Sequence, residues 1–353
     1  MNMPTTTHTQ DDLLPTLKAP RLNPDWYADS PETILDPGRR IIDAHFHFTD
    51  HWAGYGLNEQ LADVEAGHRV EATVFIQCGW NYRATGPEPL KPVGETEAVT
   101  RIAEQALAQG ARAEIAAAIV GHADLTMGAA VEDVLVAHQE AANGRFRGIR
   151  CAAARSEAFR FGVLPRPERQ LFADPNFRCG LQQLAKHELA FDAWIYHTQI
   201  QEVVDLARAV PEVPIVLDHL GGILGVFEHA QRRREVFAEW QRSVRQLADC
   251  PNVFVKIGGY AIAISGYHFE QYLTPPSSQL LAELWRPTAE FVIETFGAER
   301  CMFESNFPVD RAAGHYATVW NAFKLIAQSA SESEKERLFS GTAAQVYRIS
   351  LKT

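Results

Sequence analysis

Short apolar runs alternate with helical segments along most of the chain, and this alternation limits the possible folds more than any other feature. Eight runs have the length and the apolar or β-branched composition of strands: 41–46, 72–78, 114–120, 146–151, 190–196, 215–219, 253–258 and 300–305. Apolar residues at helical spacing lie between them, in 57–70, 95–108, 131–142, 175–189, 201–210, 231–247 and 280–296. Parallel strands that are covered on both faces have such near-continuous apolar runs. The pattern therefore predicts an α/β fold, a (β/α)8 TIM barrel.

A doubly wound open sheet is the alternative architecture, but the chain lacks the Gly-x-Gly-x-x-Gly turn after its first apolar run. Residues 1–38 are rich in Pro, Thr, Asp and Asn and show little periodicity. We therefore predict an N-terminal extension over 1–38 and a single barrel domain over 39–353.

Composition narrows the classes of function. The chain is 46% hydrophobic and 22% charged, which is typical of a globular domain with a large core. A net charge of −11 argues against nucleic acid or an anionic membrane as the partner, so we expect a small-molecule substrate. Five scattered cysteines without Cys-x-x-Cys spacing, and no visible signal or anchor segment, predict a cytoplasmic protein. A homodimer remains open.

The first apolar run ends in the two histidines His45 and His47. Residues i and i+2 of a strand project from the same face, so the two imidazoles would point together towards a metal or a charged substrate. The alternative is structural, with one histidine capping the strand and the other packing. In a TIM barrel the catalytic groups follow the carboxyl ends of the strands. Further candidates at the other run ends are Trp80, Arg150, Tyr196, His197, Asp218, His219, Lys256, Glu304, Asn306 and Asp310.

Several motifs at these positions resemble the amidohydrolase superfamily. They are Asp-Ala-His-Phe-His at 43–47, Gly-Ile-Arg at 148–150, Leu-Asp-His-Leu-Gly-Gly at 217–222, Val-Lys-Ile-Gly-Gly at 255–259 and Met-Phe-Glu-Ser-Asn-Phe-Pro-Val at 302–309. The likeness is to the amidohydrolase-2 branch, which includes lactonases and aromatic acid decarboxylases, and it extends from residue 42 to about 347. It implies a distorted (β/α)8 barrel.

The resemblance also implies roles for the histidines. His45, His47 and His197 would bind a divalent metal, with zinc as the first candidate, and His219 would polarise the substrate or take a proton. Some lactonases of this branch keep the histidines and work without a metal, so a metal-free site remains open.

The chain departs from the family pattern on its last predicted strand, where Asn306 occupies the position of the usual aspartate. An amide cannot take a proton from water at neutral pH. Glu304 or Asp310 could supply the missing carboxylate. Glu304 could instead be a buried partner that orients His45 or His47.

Arg150 could bind a substrate carboxylate through its two-pronged guanidinium, or it could pair with a neighbouring acidic side chain. The same two readings apply to Lys256. Trp80 and Tyr196 could form aromatic walls around the substrate or could simply pack. These features predict a lactonase-like hydrolase of a small, carboxylated cyclic ester. A non-oxidative decarboxylase of an aromatic acid is the alternative, and Asn306 also motivates a catalytically inactive binding barrel.

Overall fold

The protein was analysed as a computed structural model, which describes residues 14–18, 26, 32–51, 54–162 and 167–350. Within these ranges eight parallel strands form one sheet in which each strand pairs with the next along the chain. The strands are β1 (Arg40–Phe46), β2 (Arg69–Ile76), β3 (Glu114–Gly121), β4 (Phe146–Ala152), β5 (Ala190–Trp194), β6 (Ile215–Leu217), β7 (Val253–Ile257) and β8 (Cys301–Phe303).

Main-chain contacts just past β1 and β8 bring the two edges of the sheet together. The amide of His47 donates to the carbonyl of Phe307 at 2.8 Å, and the amide of Asn306 donates to the carbonyl of His45 at 2.9 Å. The sheet is thus a nearly closed barrel, and the predicted fold is confirmed.

Helices cover the outside of the barrel. They are α1 (Leu57–Val64), α2 (Val93–Ala108), α3 (Glu132–Ala141), α4 (Pro175–Lys186), α5 (Ile200–Ala209), α6 (Arg233–Ala248), α7 (Ser278–Phe296) and α8 (Tyr316–Ile326). Local sequence fixes some of their ends: the Asp174 carboxylate accepts hydrogen bonds from the first free amides of α4, and Pro175 follows it. None of the described helices combines the length and apolar composition that a membrane crossing requires.

The carboxyl-terminal segment consists of short helical turns at Glu332–Glu336, Arg337–Gly341 and Thr342–Val346. Tyr347 and Ile349 follow these turns and pack among buried residues that the strands turn into the barrel, including Ile42, Val120 and Met302. Arg348 pairs with Glu188, just before the start of β5. The segment therefore closes the amino-terminal end of the barrel, which we call the barrel floor.

Several predicted strands end earlier than expected, and among them β5, β6 and β8 end two residues early, at Trp194, Leu217 and Phe303. His219 and Asn306 lie beyond these ends in left-handed backbone conformations, with φ of 53° at each. Strict alternation of side chains therefore stops before the site residues are reached. The helix predicted over 57–70 ends at Val64 because the chain enters β2 at Arg69.

The described parts of the N-terminal extension contact the barrel domain. Thr16–Leu17 pairs with Arg160–Phe161 in a small parallel ladder, and the amide of Leu35 donates to Asn321 on α8 at 2.9 Å. The rest of the predicted extension lies outside the described residues.

Candidate active site

Polar side chains that are almost fully buried gather at the carboxyl ends of the strands, where β1 and β8 meet. They are His45, His47, Arg150, Asp218, His219, Lys256, Glu304, Asn306 and Asp310. Burial of so many polar groups is costly unless each has a partner, so their hydrogen bonds define the site.

His45 near the end of β1 and His47 just after it point their Nε2 atoms at each other across 3.1 Å. On His47 the Nδ1 atom must carry the proton, because it donates to the carbonyl of Ile76 at 2.7 Å. On His45 the Nδ1 atom lies 2.9 Å from Glu304 Oε2 and also donates. Both Nε2 atoms of the neutral rings therefore present lone pairs to the same point.

Both rings are held neutral. Burial lowers the pKa of His45 well below its usual range, and Lys256 lowers it further. Burial likewise lowers the pKa of His47, with Arg150 adding to the effect. Two facing lone pairs repel unless a cation or a shared proton lies between them, so this pair has the donor chemistry of a metal site.

Glu304 joins two imidazoles with its two oxygens. Oε2 accepts from His45 Nδ1, and Oε1 lies 2.6 Å from His219 Nδ1. Burial alone would raise the pKa of Glu304, but His219 and His45 together hold it at about 2. Glu304 is thus placed to orient both rings as a carboxylate, and at this pKa it is a weak base.

A buried ion-pair network lies beneath the histidines. Lys256 Nζ is 2.5 Å from Asp192 Oδ2, 3.1 Å from Asp218 Oδ1 and 3.3 Å from His45 Nδ1. Asp218 also faces Arg150, whose NH1 atom is 3.8 Å from Asp218 Oδ2. The two carboxylates balance the two cations, which keeps the charges at the base of the site compensated.

Asp310 is a further buried carboxylate at this end of the barrel. It accepts hydrogen bonds from Asn306 Nδ2 at 2.9 Å and from the amide of Ala261 at 3.2 Å. Burial nonetheless raises the pKa of Asp310 to about 7, while the nearby His219 lowers it. This value suits a group that must take and return a proton near neutral pH.

Comparison with known proteins then decides the family. The model of the amidohydrolase family matches residues 42–349. The chain belongs to the amidohydrolase family. The resemblance predicted from the sequence motifs is therefore confirmed, and this amidohydrolase is a hydrolase.

Relatives of the whole chain include a lactonase. The chain is 31% identical over 333 residues to an uncharacterized protein of Sinorhizobium fredii, covering 88% of this chain and 98% of that protein. It is 27% identical over 323 residues to the L-fucono-1,5-lactonase of Burkholderia ambifaria, covering 87% of this chain and 95% of that enzyme. The amidohydrolase is therefore lactonase-like.

Solved structures share the fold. A crystal structure of an amidohydrolase from Burkholderia multivorans with bound zinc superposes with a TM-score of 0.64 at 22% identity, and it covers 88% of this chain and 99% of its own.

His197 has hydrogen-bond and ring contacts of its own, separate from those that join His45, His47 and Glu304. Its Nδ1 accepts from the amide of Leu224 at 3.3 Å, and its ring packs 5.3 Å from that of His229. The chain has left β5 three residues earlier, so His197 sits in a short 3-10 turn instead of on the strand. Among the described residues, the cluster with metal-ligand spacing consists of His45, His219 and Glu304.

The two aromatic candidates lie around the cluster. The Trp80 indole donates to Asp50 at 3.0 Å on the rim of the barrel mouth. Tyr196 packs against Trp194, whose ring lies 4.8 Å from that of His219. Neither aromatic ring contacts His45 or His47 directly, and both positions are compatible with an outer wall of the substrate pocket.

Sequence reasoning did not single out Asp192 or Asp43. Asp192 holds Lys256, and the Asp43 carboxylate accepts from the amide and hydroxyl of Ser305 at 2.8 and 2.6 Å. Burial raises the pKa of Asp43 to about 6, although its hydrogen bonds favour the charged form. An acidic residue within an otherwise apolar strand was the available signal for both, because such a group must find a buried partner.

Proposed function

We propose that this amidohydrolase hydrolyses a small cyclic ester that carries a carboxylate group. The observation that carries the proposal is the pair of neutral imidazoles, His45 and His47, whose Nε2 atoms face each other at 3.1 Å, with the cationic side chain of Arg150 close enough to lower the pKa of His47. The similarity to a lactonase over nearly the whole chain supports ester hydrolysis rather than another reaction of this scaffold.

The converging Nε2 atoms fit a divalent metal such as zinc, and we propose that His45 and His47 hold it together with His219. His219 joins this set in place of His197, because Glu304 ties its Nδ1 and leaves its Nε2 available. A bound divalent ion would polarise the ester carbonyl and make a bound water more acidic. Zinc is the proposed ion because the structurally similar amidohydrolase of Burkholderia multivorans has bound zinc.

Side chains of the protein carry out the proton transfer and orient the histidine rings. Asp310 takes the proton of the attacking water, because its pKa of about 7 allows both uptake and release near neutral pH. Water adds to the carbonyl carbon, the ring C–O bond breaks, and Asp310 returns the proton to the departing ring oxygen. The product is an open-chain hydroxy acid. Glu304 keeps the His45 and His219 rings in their required orientation.

Arg150 binds the substrate carboxylate. Its NH2 atom donates to the carbonyl of Gln77, and its NH1 atom faces Asp218. Its buried Nε atom has no hydrogen-bond partner. An incoming carboxylate can satisfy that donor. Lys256 is fully engaged with Asp192 and Asp218, so we propose a supporting role for it instead of direct contact with substrate.

A panel of lactones tests the proposal. It contains muconolactone, paraconic acid, a pyrone dicarboxylate and neutral sugar lactones. Hydrolysis is followed by the release of acid, and release of carbon dioxide is measured in parallel. We expect hydrolysis of carboxylated lactones, and a large loss of activity in His219→Ala but not in His268→Ala, which alters an exposed histidine. Metal content of protein purified without added metal, followed by chelation and readdition of zinc, checks the metal. Carbon dioxide release without ester hydrolysis would contradict the proposal.

A further inference from the structure

A side chamber opens from the histidine cluster between the loops that follow β6 and β7. His219 and the glycine pair 258–259 form its inner end, and α6 and α7 form its outer walls. These two glycines pack tightly against residues of the proposed site. A Cβ on Gly258 would come within 2.3 Å of Glu304 Cγ, and one on Gly259 within 2.5 Å of His219 Cγ. The chamber therefore borders the proposed site, and His219 belongs to both.

The chamber has room for a substituent of several atoms. It is partly open to solvent and has a volume of about 140 Å³, roughly ten times the space that one water molecule requires. Half of the side chains that line it are aliphatic or phenyl groups, and two further ones are tyrosine rings. The six are Leu220, Ile223, Leu224, Val236, Phe237 and Ile264.

The tyrosine and threonine hydroxyls in the lining already bond to other protein groups. The hydroxyl of Tyr260 pairs with Thr288 Oγ1 at 3.1 Å, and Thr288 Oγ1 donates to the carbonyl of Trp285 at 2.8 Å. The hydroxyl of Tyr267 donates to the carbonyl of Leu284 at 3.3 Å. A hydroxylated substituent in the chamber would lose its hydrogen bonds to water and meet partners that are already occupied.

Arg233 is the cation of the lining, and it is tied to the two loops. Its NH2 atom donates to the carbonyls of Gly266 at 2.8 Å and Gly225 at 3.4 Å, and its NH1 atom to that of Ser265 at 3.4 Å. The loops also bond directly, through the amide of Gly225 and the carbonyl of Ile264 at 2.7 Å. These bonds hold the chamber walls in place and direct the Arg233 guanidinium towards the loop carbonyls.

From this geometry we infer that the side chamber binds an apolar substituent on the ring of the substrate. The inference rests on the proposed function and makes its substrate class more specific: a carboxylated lactone with an alkyl arm of several carbons, in contrast to a polyhydroxylated sugar lactone. Arg150 holds the carboxylate, the histidines face the ester, and the arm extends past His219 towards α6.

A chain-length series tests the inference. Paraconic acid and its γ-methyl, γ-propyl and γ-pentyl derivatives share the lactone ring and the carboxylate and differ only in the arm. We expect kcat/KM to rise about fourfold per added methylene until the chamber is full, which corresponds to about 0.8 kcal/mol for each buried methylene. Val236→Phe and Ile223→Phe, which fill the chamber from two sides, should remove this rise. Val136→Phe adds the same ring on the exposed face of α3 and should preserve it.

Binding is measured alongside turnover so that the two proposals can fail separately. Calorimetry with the ring-opened hydroxy diacids of the same series reports on the chamber even if none of the lactones is hydrolysed, and affinity should again increase with arm length. Thermal unfolding of the filled variants verifies that they fold. An affinity that stays flat or falls with arm length would overturn the inference, as would preferred turnover of sugar lactones that Val236→Phe leaves unaffected.

Discussion

Glu304 and Asp310 are both fully buried near His219, yet their surroundings shift their pKa values in opposite directions. Two imidazoles stabilise the charged form of Glu304 and hold its pKa at about 2. Asp310 has hydrogen bonds from an amide side chain and one backbone amide, and burial raises its pKa to about 7. Carboxylates whose environments separate their pKa values in this way take different roles, here an orienting anion and a proton carrier.

This division predicts different losses for two near-isosteric substitutions. Asp310→Asn should lower kcat by about 10²–10⁴, the usual effect of removing a general base. Glu304→Gln should lower it by about 10–100-fold, because an amide has one acceptor oxygen and leaves either His45 or His219 misoriented. Steady-state kinetics on the best lactone of the panel, with circular dichroism as the fold control, measure both. Near-normal activity of Asp310→Asn would contradict this assignment and would make Glu304 the candidate for the general base.

The pH profile supplies an independent check on Asp310. The base acts when ionised, so kcat/KM should rise with pH through about 7 and level off above it. Asn306 Nδ2 donates to Asp310 Oδ1 and favours the charged form, so Asn306→Ala should raise the pKa of Asp310 and move the rising limb to higher pH. A limb at the same pH in both proteins would show that another group titrates.

The sequence pattern could indicate which side chains lie near the carboxyl ends of the strands, but not which of them bond to each other. His45 lies on β1 and His47 directly follows its last residue, so the side-chain alternation still brings the two rings together. His197 lies three residues past the end of β5, where the backbone has turned and alternation no longer decides direction. The pairing of Glu304 with His219 joins residues 85 positions apart, which local patterns do not encode.

At the scale of elements, the loops after β6 and β7 are built by close backbone contact instead of by side-chain packing. Gly225 lies so near the other loop that a Cβ there would stand 2.0 Å from the carbonyl oxygen of Ser265. Arg233 at the start of α6 then holds the carbonyls of both loops. Sequence periodicity predicted α6 and α7 but carried no information about these loops, because neither has a regular pattern.

Gly225→Ala should therefore separate the two loops. Forcing a methyl group into a close-packed contact typically costs about 1–3 kcal/mol of stability. We expect a lower melting temperature, faster proteolysis between residues 223 and 267, and a weaker preference for long-arm lactones. Gly38→Ala is the matched control, since a Cβ at Gly38 meets nothing within 4 Å and the backbone there is not left-handed. Equal stability of the two variants would contradict this account of the loops.

At the scale of the whole molecule, the barrel could be predicted because strands and helices alternate in short local segments of the sequence. Its closure could not be predicted, because it depends on contacts between residues far apart in the sequence. Ser305 and Tyr316 both donate to the Asp43 carboxylate and join the end of β8 to β1 across more than 260 residues of sequence. At the barrel floor, the hydroxyl of Tyr347 donates to Asp192 Oδ2 at 2.8 Å. The carboxyl-terminal segment is thereby linked through Asp192 to Lys256 and the histidines.

Tyr347→Phe tests that link. The substitution removes one hydroxyl and leaves a buried carboxylate oxygen with Lys256 as its remaining partner, so the free energy of unfolding should fall by about 1–3 kcal/mol. Lys256 also contacts Asp218 and His45, so kcat should fall as well, but by less than the roughly tenfold loss expected for groups bonded directly to metal ligands. Denaturant unfolding and kinetics measure the two effects, with Tyr272→Phe at an exposed position as the control. If stability falls while kcat stays unchanged, the floor supports the fold without reaching the chemistry, because Lys256 then keeps its position through Asp218 alone.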